Sequence, residues 1–203
     1  MDKKALHQLT YGLFLLTAQE QGKDNGCIIN TVIQAANDPT RLSLAVLKGN
    51  HTHDMIQRTG VFNVSVLSTE ADFDLFQRFG MQSGATVDKF AGFPDVARSA
   101  NGLYYLTKMA NACLSAKVVA QYDLGSHTLF IAELTDAICL SDVPSCTYAY
   151  YQSDIKPQPQ AAQKKGWRCT ICGYIYEGET LPPDFTCPLC KHGAEDFVPI
   201  TQE

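Results

Sequence analysis

Four cysteines in the last quarter of the sequence have the spacing of a metal-binding site. They form two C-x-x-C pairs, Cys169 with Cys172 and Cys187 with Cys190, and fourteen residues separate the pairs. Each pair can fold into a knuckle that points two sulfur atoms at one position, and Gly173 permits the positive φ that turns backbone N–H groups toward sulfur. Two knuckles offer four thiolates in a tetrahedron, which suits zinc or iron. The spacing predicts a metal site without selecting the metal.

Aromatic residues around these cysteines bear on the choice of metal. Paired C-x-x-C motifs at this separation most often belong to zinc ribbons. The segment nevertheless resembles rubredoxin, through the strings C-x-x-C-G-Y-x-Y and L-P-x-x-F-x-C-P-x-C and a Phe seven residues further on. That resemblance implies one iron atom, bound by the four cysteines, that carries a single electron. Two departures are a shorter segment between the pairs and Phe185 at a position where Trp is usual. The aromatic residues are Trp167, Tyr174, Tyr176, Phe185 and Phe197.

Composition is that of an ordinary soluble globular protein, with 45% hydrophobic and 18% charged residues. The 203 residues can hold one domain of about 150 residues and the small cysteine module. Apolar runs are shorter than the roughly 18 residues of a membrane span, and we expect no secretion signal. The other cysteines are scattered through apolar stretches, so free thiols in a reducing cytoplasm are expected. They are Cys27, Cys113, Cys139 and Cys146.

Negative charge is concentrated in the cysteine module. The net charge of the chain is −5, and residues 167–203 contribute −4 of it through six acidic and two basic side chains. This balance argues against nucleic acid, which selects basic surfaces. It suits docking to a positively charged protein, because complementary charge speeds encounter. Solubility alone is the simpler explanation of the same charge.

Hydrophobic patterning predicts a mainly β domain over residues 1–151, a linker over 152–166 and the metal module over 167–203. Alternating apolar residues and turn signals favour an antiparallel barrel with short helices. Asp123 to Ser126 predicts the turn of a long hairpin. Strands are predicted over 11–17, 27–36, 42–47, 61–67, 110–122, 128–139 and 147–151. Helices are predicted over 2–10, 54–59 and 72–79, polar turns over 19–26 and 48–53, and a long loop over 81–101.

Two polar clusters in the predicted barrel are candidates for binding a cofactor. The first lies on a strand edge beside a glycine, and the second lies at a strand-to-helix turn. Backbone N–H groups at a helix N-terminus, together with Lys and His donors, suit a phosphate. The alternative is that Thr52 only caps the helix and that His51 and His53 are solvated. The first cluster is Asn25, Cys27, Asn30, Thr31 and Val32; the second is Lys48, Asn50, His51, Thr52 and His53.

The order and spacing of the two clusters resemble those of the flavin-reductase-like, FMN-binding split-barrel family. The matching strings are KDNGCIINT, KGNHTHDMI and TGVFNVSVL, between Lys23 and Leu67. The resemblance implies noncovalent FMN at a homodimer interface, with the flavin ring against the first cluster and the phosphate near the second. His127 matches the His of a Gly-Asp-His triplet near the flavin and the nicotinamide, although Ser126 replaces the Asp; a turn histidine is the alternative. The loop Ser83–Thr86 could cover the flavin or be a plain loop.

Taken together, the two resemblances imply an electron-transfer flavoprotein. The combination is similar to the high-molecular-weight rubredoxins of anaerobes, which pass electrons from NADH to a flavodiiron protein that reduces oxygen or nitric oxide. The expected route is from NADH or NADPH through FMN to iron. Two alternatives stay open: a plain flavin reductase that releases reduced FMN, and a non-enzymatic flavoprotein with a structural zinc ribbon. The sequence does not select NADH or NADPH, because a G-x-G-x-x-G fingerprint is absent.

Overall fold

The computed structural model describes residues 3–157 and 166–200. The chain divides into two compact units, Met1–Ile155 and Lys156–Glu203. Most of the predicted linker, residues 158–165, lies outside the described residues, so the prediction of a linker over 152–166 stays a prediction. Within the described residues, no helix combines the length and the apolar character needed to cross a membrane.

The larger unit is built mainly of antiparallel strands. Its strands are β1 Phe14–Glu20, β2 Lys23–Ile29, β3 Ile33–Asn37, β4 Thr40–Leu47, β5 Val61–Leu67, β6 Val96–Arg98, β7 Tyr104–Leu106, β8 Ala110–Asp123 and β9 His127–Cys139. Its helices are a 3-10 helix Lys3–Gln8, α1 His51–Thr59, α2 Phe73–Gly80 and α3 Tyr148–Tyr150, which continues into a π-helical turn at Tyr151–Ile155. The mainly β fold class predicted from the sequence is confirmed.

Seven strands form one sheet that must roll up into a barrel. Their order is β2-β1-β5-β8-β9-β4-β3, so the two edge strands are consecutive in the chain. In a flat sheet these edges would be about 29 Å apart, at about 4.8 Å per strand. The three residues between β2 and β3 allow at most about 14 Å. The sheet therefore curls until its edges meet at Asn30–Val32, and the unpaired edges leave the barrel split there.

The barrel interior is filled by alternate residues of the strands and by one face of α1. On β4, Leu42, Leu44 and Val46 are buried and the residues between them are partly exposed, as a strand with one core-facing side requires. Met55 and Ile56 of α1 join this core. Burial of their side chains fixes α1 against the barrel and thereby fixes the position of its N-terminus. A second core lies around α2.

The smaller unit is a three-stranded sheet around a cysteine and aromatic core. Its strands are β10 Trp167–Cys169, β11 Ile175–Tyr176 and β12 Phe197–Pro199, in the order β11-β10-β12. Cys169, Cys187 and Phe197 are buried at its centre. Phe185, at the position where Trp is usual, packs edge-on against Phe197 with a centroid distance of 5.2 Å. The aromatic residues predicted to surround the knuckles thus form the core of this unit.

Four predicted elements of the larger unit are wrong. The segment 27–36, predicted as one strand, contributes to two strands at opposite edges of the sheet. Most of the segment 19–26, predicted as a turn, belongs to the strands of the β1–β2 hairpin, whose turn is Gln21-Gly22. The strand predicted over 147–151 is helical, because the Thr147 side chain accepts a hydrogen bond from Tyr150 N and caps α3. The loop predicted over 81–101 includes β6.

Candidate flavin and metal sites

The N-terminus of α1 is built to present backbone donors. Asn50 has extended backbone angles, and its side chain accepts a hydrogen bond from Thr52 N at 3.4 Å, so Asn50 is the cap. The helix begins at His51, three residues earlier than predicted, and His51, Thr52 and His53 form its first turn. This end of the helix carries the positive end of the macrodipole, which favours an anion such as a phosphate.

A buried hydrogen bond joins the two polar clusters. The side-chain amide of Asn25 on β2 donates to the Thr52 hydroxyl at 3.0 Å, and both side chains are buried. Cys27, on the same strand, is also buried. Burial raises the pKa of its thiol, and hydrogen bonds with Thr52 and Asn50 offset this only in part. Asn25 and Cys27 therefore form a neutral, fixed support for Thr52 and the first turn of α1.

The connection between β2 and β3 holds the other members of the first cluster. Asn30, Thr31 and Val32 are partly exposed at the meeting point of the two sheet edges. The Thr31 hydroxyl donates to the carbonyl of Ala45 at 2.7 Å and accepts from its N–H at 3.2 Å. These two bonds tie the connection to β4, which leads directly to the second cluster.

His53 is buried between two partners. One ring nitrogen, Nδ1, lies 2.8 Å from Asp54 Oδ1, and the other, Nε2, lies 2.8 Å from Thr128 Oγ1. His53 therefore joins α1 to β9, and the alternative that it is a solvated histidine is wrong. With both nitrogens engaged, the ring serves to position the helix.

Lys48 and His127 lie side by side at one end of the barrel. His127 begins β9 and pairs with Leu47, the last residue of β4. Its Nδ1 atom lies 2.9 Å from the Ser126 hydroxyl. The Lys48 ammonium forms an exposed ion pair with Asp123 at 2.7 Å and lowers the pKa of that carboxyl. The structure thus brings His127 next to the second cluster.

A cavity of about 480 Å³ opens beside the first turn of α1. His51 and Met55 of α1, Lys23 of β2 and Tyr104 of β7 line it, and the segment 84–88 lines the facing side. Its volume falls in the range of about 300–1,000 Å³ that is usual for cofactor pockets. The loop Ser83–Thr86 thus borders the candidate flavin site, and Gly84 lies against the amide of Asn25 so closely that a Cβ atom would not fit.

Lys89 is a residue of this region that the sequence did not indicate. Its side chain is buried and donates to the carbonyls of Gly26 at 2.9 Å and Phe79 at 3.0 Å. Burial lowers the pKa of its ammonium group. Lys89 thereby fastens the loop that borders the cavity to β2 and α2. The one sequence feature that could have indicated burial of Lys89 is its position directly before Phe90 and Ala91.

These donors fit a flavin nucleotide. A helix N-terminus, a neighbouring lysine and a histidine are suited to a phosphate. The polar connection Asn30–Val32 offers hydrogen-bonding groups. The cavity, whose described lining includes His51 but no residue of the first cluster, has space for a planar ring system.

The four cysteine sulfurs lie together in the smaller unit. All are within 4.8 Å of one another. Cys169 Sγ and Cys190 Sγ are 3.6 Å apart, and Cys172 Sγ and Cys187 Sγ are 3.5 Å apart. Four sulfurs in a tetrahedron with metal–sulfur bonds of about 2.3 Å would lie about 3.8 Å apart. The donor set and its spacing therefore fit one tetrahedral ion, iron or zinc.

Backbone N–H groups stabilise charge on the sulfurs unequally. Burial opposes ionisation of Cys187, but the N–H groups of Cys190 and Leu189 outweigh it, and the pKa of this thiol is lowered. Burial raises the pKa of Cys172 to about 11 and also raises that of Cys190. A bound cation is needed to hold all four as thiolates near neutral pH.

Comparisons with known proteins agree with both sites. The flavin reductase like domain family matches residues 6–158, and the rubrerythrin, rubredoxin-like domain family matches residues 167–198. The high molecular weight rubredoxin of Moorella thermoacetica is 36% identical, over 98% of this chain and 100% of that protein. A ferric-chelate reductase (NAD(P)H) of Archaeoglobus fulgidus is 36% identical, over 74% of this chain and 89% of that protein. Flavoredoxin of Methanosarcina acetivorans shares the fold, with a TM-score of 0.58 at 23% identity over 64% of this chain and 69% of that chain.

Proposed function

The chain belongs to the flavin reductase-like family and carries a rubredoxin-like domain, and from this premise we propose that it passes electrons from NADH or NADPH to a protein acceptor. The two domains make it an oxidoreductase with FMN and iron as cofactors. When bound, FMN accepts a hydride and gives up electrons singly, and a four-thiolate iron takes one electron at a time. The main support for this proposal is that the four sulfurs have the spacing of a tetrahedral metal site, in a chain that also contains the two polar clusters.

The second cluster binds the anionic end of FMN in this proposal. The positive end of α1, which Asn50 caps, would attract the phosphate, and Lys48 and His51 would add side-chain donors. His53 holds the helix against β9 through Thr128. The protein thus fixes the phosphate with groups that are already in place, which limits the entropy lost on binding.

The first cluster positions the ring end of FMN. Asn30, Thr31 and Val32 would contact the ring or ribityl chain, and Asn25 and Cys27 would also hold this end. His127, which follows the turn that contacts Lys48, would contact the nicotinamide. Burial of Cys27 and the raised pKa of its thiol keep a competing negative charge away from the ring.

An iron atom held by the four cysteines would be most accessible to an acceptor on the side of Cys172 and Cys190. Cys169 and Cys187 are buried, whereas Cys172 and Cys190 are partly exposed. The net charge of −4 on residues 167–203 favours an acceptor with a basic surface. A flavodiiron protein with such a surface is our proposed acceptor.

We further propose that two chains form a homodimer around the flavin. Large apolar side chains are exposed directly beside the flavin residues. Ile33, next to Val32, is 65% exposed, and Leu47, next to Lys48, is 50% exposed. Burial of such side chains in a second copy would stabilise a dimer and shield the ring. Light scattering during gel filtration measures the molar mass in solution, which we expect to be that of two chains.

The first experiment is an anaerobic NADH titration of protein purified without added metal. Visible spectra are recorded together with metal analysis. We expect flavin and iron–thiolate bands to bleach together. Cys172→Ser should leave flavin reduction intact and abolish the iron signal. Cys139→Ser, which changes an exposed cysteine outside both sites, is the matched control and should retain both signals.

Two outcomes would contradict the proposal. If zinc occupies the four-cysteine site and only the flavin bleaches, the module is structural. If the flavin dissociates on reduction and the iron stays oxidised, the chain is a plain flavin reductase.

A further inference from the structure

Lys156 contacts the first metal knuckle from outside the segment that matches the rubredoxin-like family. Its ammonium group donates to the carbonyl of Ile171 at 3.0 Å. Ile171 lies inside the first C-x-x-C pair, directly before Cys172, whereas Lys156 is eleven residues before Trp167. We propose that Lys156 is a positioning residue that raises the reduction potential of the metal centre through this carbonyl.

The peptide group that Lys156 polarises is the one that ends in the N–H of Cys172. In the second knuckle, the corresponding N–H is that of Cys190, which donates to the sulfur of Cys187. A cation on the carbonyl of a peptide makes its N–H a stronger donor, because hydrogen bonds in a chain polarise one another. Stronger N–H donation to sulfur stabilises negative charge at a thiolate cluster. Lys156 therefore acts on the centre through the first knuckle.

The charge of Lys156 contributes directly as well. Reduction of a four-thiolate iron adds one negative charge and takes up no proton, so a fixed cation nearby favours the reduced form. Within residues 167–203, six acidic side chains outnumber two basic ones. Lys156 is partly buried, so solvent and salt screen its charge less than that of a fully exposed lysine. This inference rests on the proposed function in one respect, which is that iron is the resident metal.

The test is the iron midpoint potential of the full-length, iron-loaded protein in wild type, Lys156→Gln and Lys156→Arg. An anaerobic redox titration is followed by EPR of the ferric ion, which flavin bands do not obscure. At the wild-type midpoint potential, we expect the ratio of reduced to oxidised iron in Lys156→Gln to be about threefold lower than in wild type. This corresponds to a midpoint potential lower by about 28 mV, at 59 mV per tenfold change. Lys156→Arg should retain the wild-type ratio. Equal iron content in all variants establishes that the site is intact.

Arg168→Gln is the matched control, because it removes the same charge from an exposed side chain of the same unit. A shift as large as that of Lys156→Gln would mean that only net charge matters and would overturn the proposal, as would an unchanged potential in Lys156→Gln.

A zinc-loaded sample tests the contact independently of iron. There, Lys156→Gln should shift the Cys172 amide resonance in NMR spectra, and Arg168→Gln should not. An unmoved resonance overturns the contact. If the native metal proves to be zinc, the proposed function fails, while this measurement still decides whether Lys156 polarises the knuckle.

Discussion

Gly84→Ala should weaken FMN binding through a single added methyl group. The Cβ atom would lie 2.5 Å from Asn25 Nδ2 and closer still to the Cγ and Oδ1 atoms of the same side chain. Asn25 is buried and bonded to Thr52, so it cannot turn away without breaking that bond. The methyl group must therefore push either the cavity-bordering loop or the first turn of α1 from its position.

The size of the effect follows from the two ways of relieving this overlap. Displacement of a packed segment by an extra methyl group costs about 1–3 kcal/mol. Loss of the buried Asn25–Thr52 bond would leave polar groups unsatisfied at a similar cost of about 1–3 kcal/mol. Either change disturbs a wall of the candidate site, so FMN should bind about 5- to 150-fold more weakly. Backbone strain adds nothing, since Gly84 lies outside the left-handed region.

Titration of FMN into apo-protein, followed by quenching of flavin fluorescence, measures the affinity. Gly49→Ala is the matched control, because Gly49 lies within the second cluster and its Cβ would meet no atom within 4 Å. We expect Gly49→Ala to bind FMN with nearly wild-type affinity. Equal affinities of the two variants would refute the placement of the loop against Asn25.

Three further predictions concern charge and metal. Lys89→Met should lower the free energy of unfolding by about 2–4 kcal/mol, because the carbonyls of Gly26 and Phe79 lose a buried donor; unchanged urea unfolding would contradict this. Lys48 lowers the pKa of Asp123, so the pair stabilises the fold above the ordinary carboxyl pKa of about 3.9 and this contribution is lost as pH falls through the lowered value. Lys48→Met should therefore raise the pKa of Asp123 in an NMR titration, and an unmoved pKa would disprove the pairing in solution. Chelation of the metal should abolish hydrogen-exchange protection in the smaller unit and spare the larger one, since four clustered thiols cannot replace the ion; protection that survives chelation would refute this.

Local patterns were sufficient where neighbours in sequence decide the structure. The alternation of β5, the long β8–β9 hairpin and the two cysteine pairs were all predicted correctly. Each depends on side-chain period, turn residues or spacing, which are visible within one local stretch of the chain.

Long-range contacts explain what the sequence did not reveal. Cys27–Ala36 is mostly β-branched and apolar, and the closure of the barrel divides it at Asn30–Val32. The start of α1 was placed three residues late because Thr52 and His53 look like polar turn residues. Their burial against β2 and β9 comes from partners 27 and 75 residues away. Lys89 likewise bonds to a carbonyl 63 residues away.

The β2–β3 connection makes the candidate flavin residues part of the seam that closes the barrel. A protease cut at Asn30–Val32 would break the covalent link between the two edge strands, while β2 stays paired with β1 and β3 stays paired with β4. A cut at the hairpin turns of Gly22 or Gly125 would open only one tip, where such breaks are best tolerated. A cofactor bound across the seam would hold the two edges together. Resistance to cleavage at this one connection should therefore report directly on cofactor occupancy.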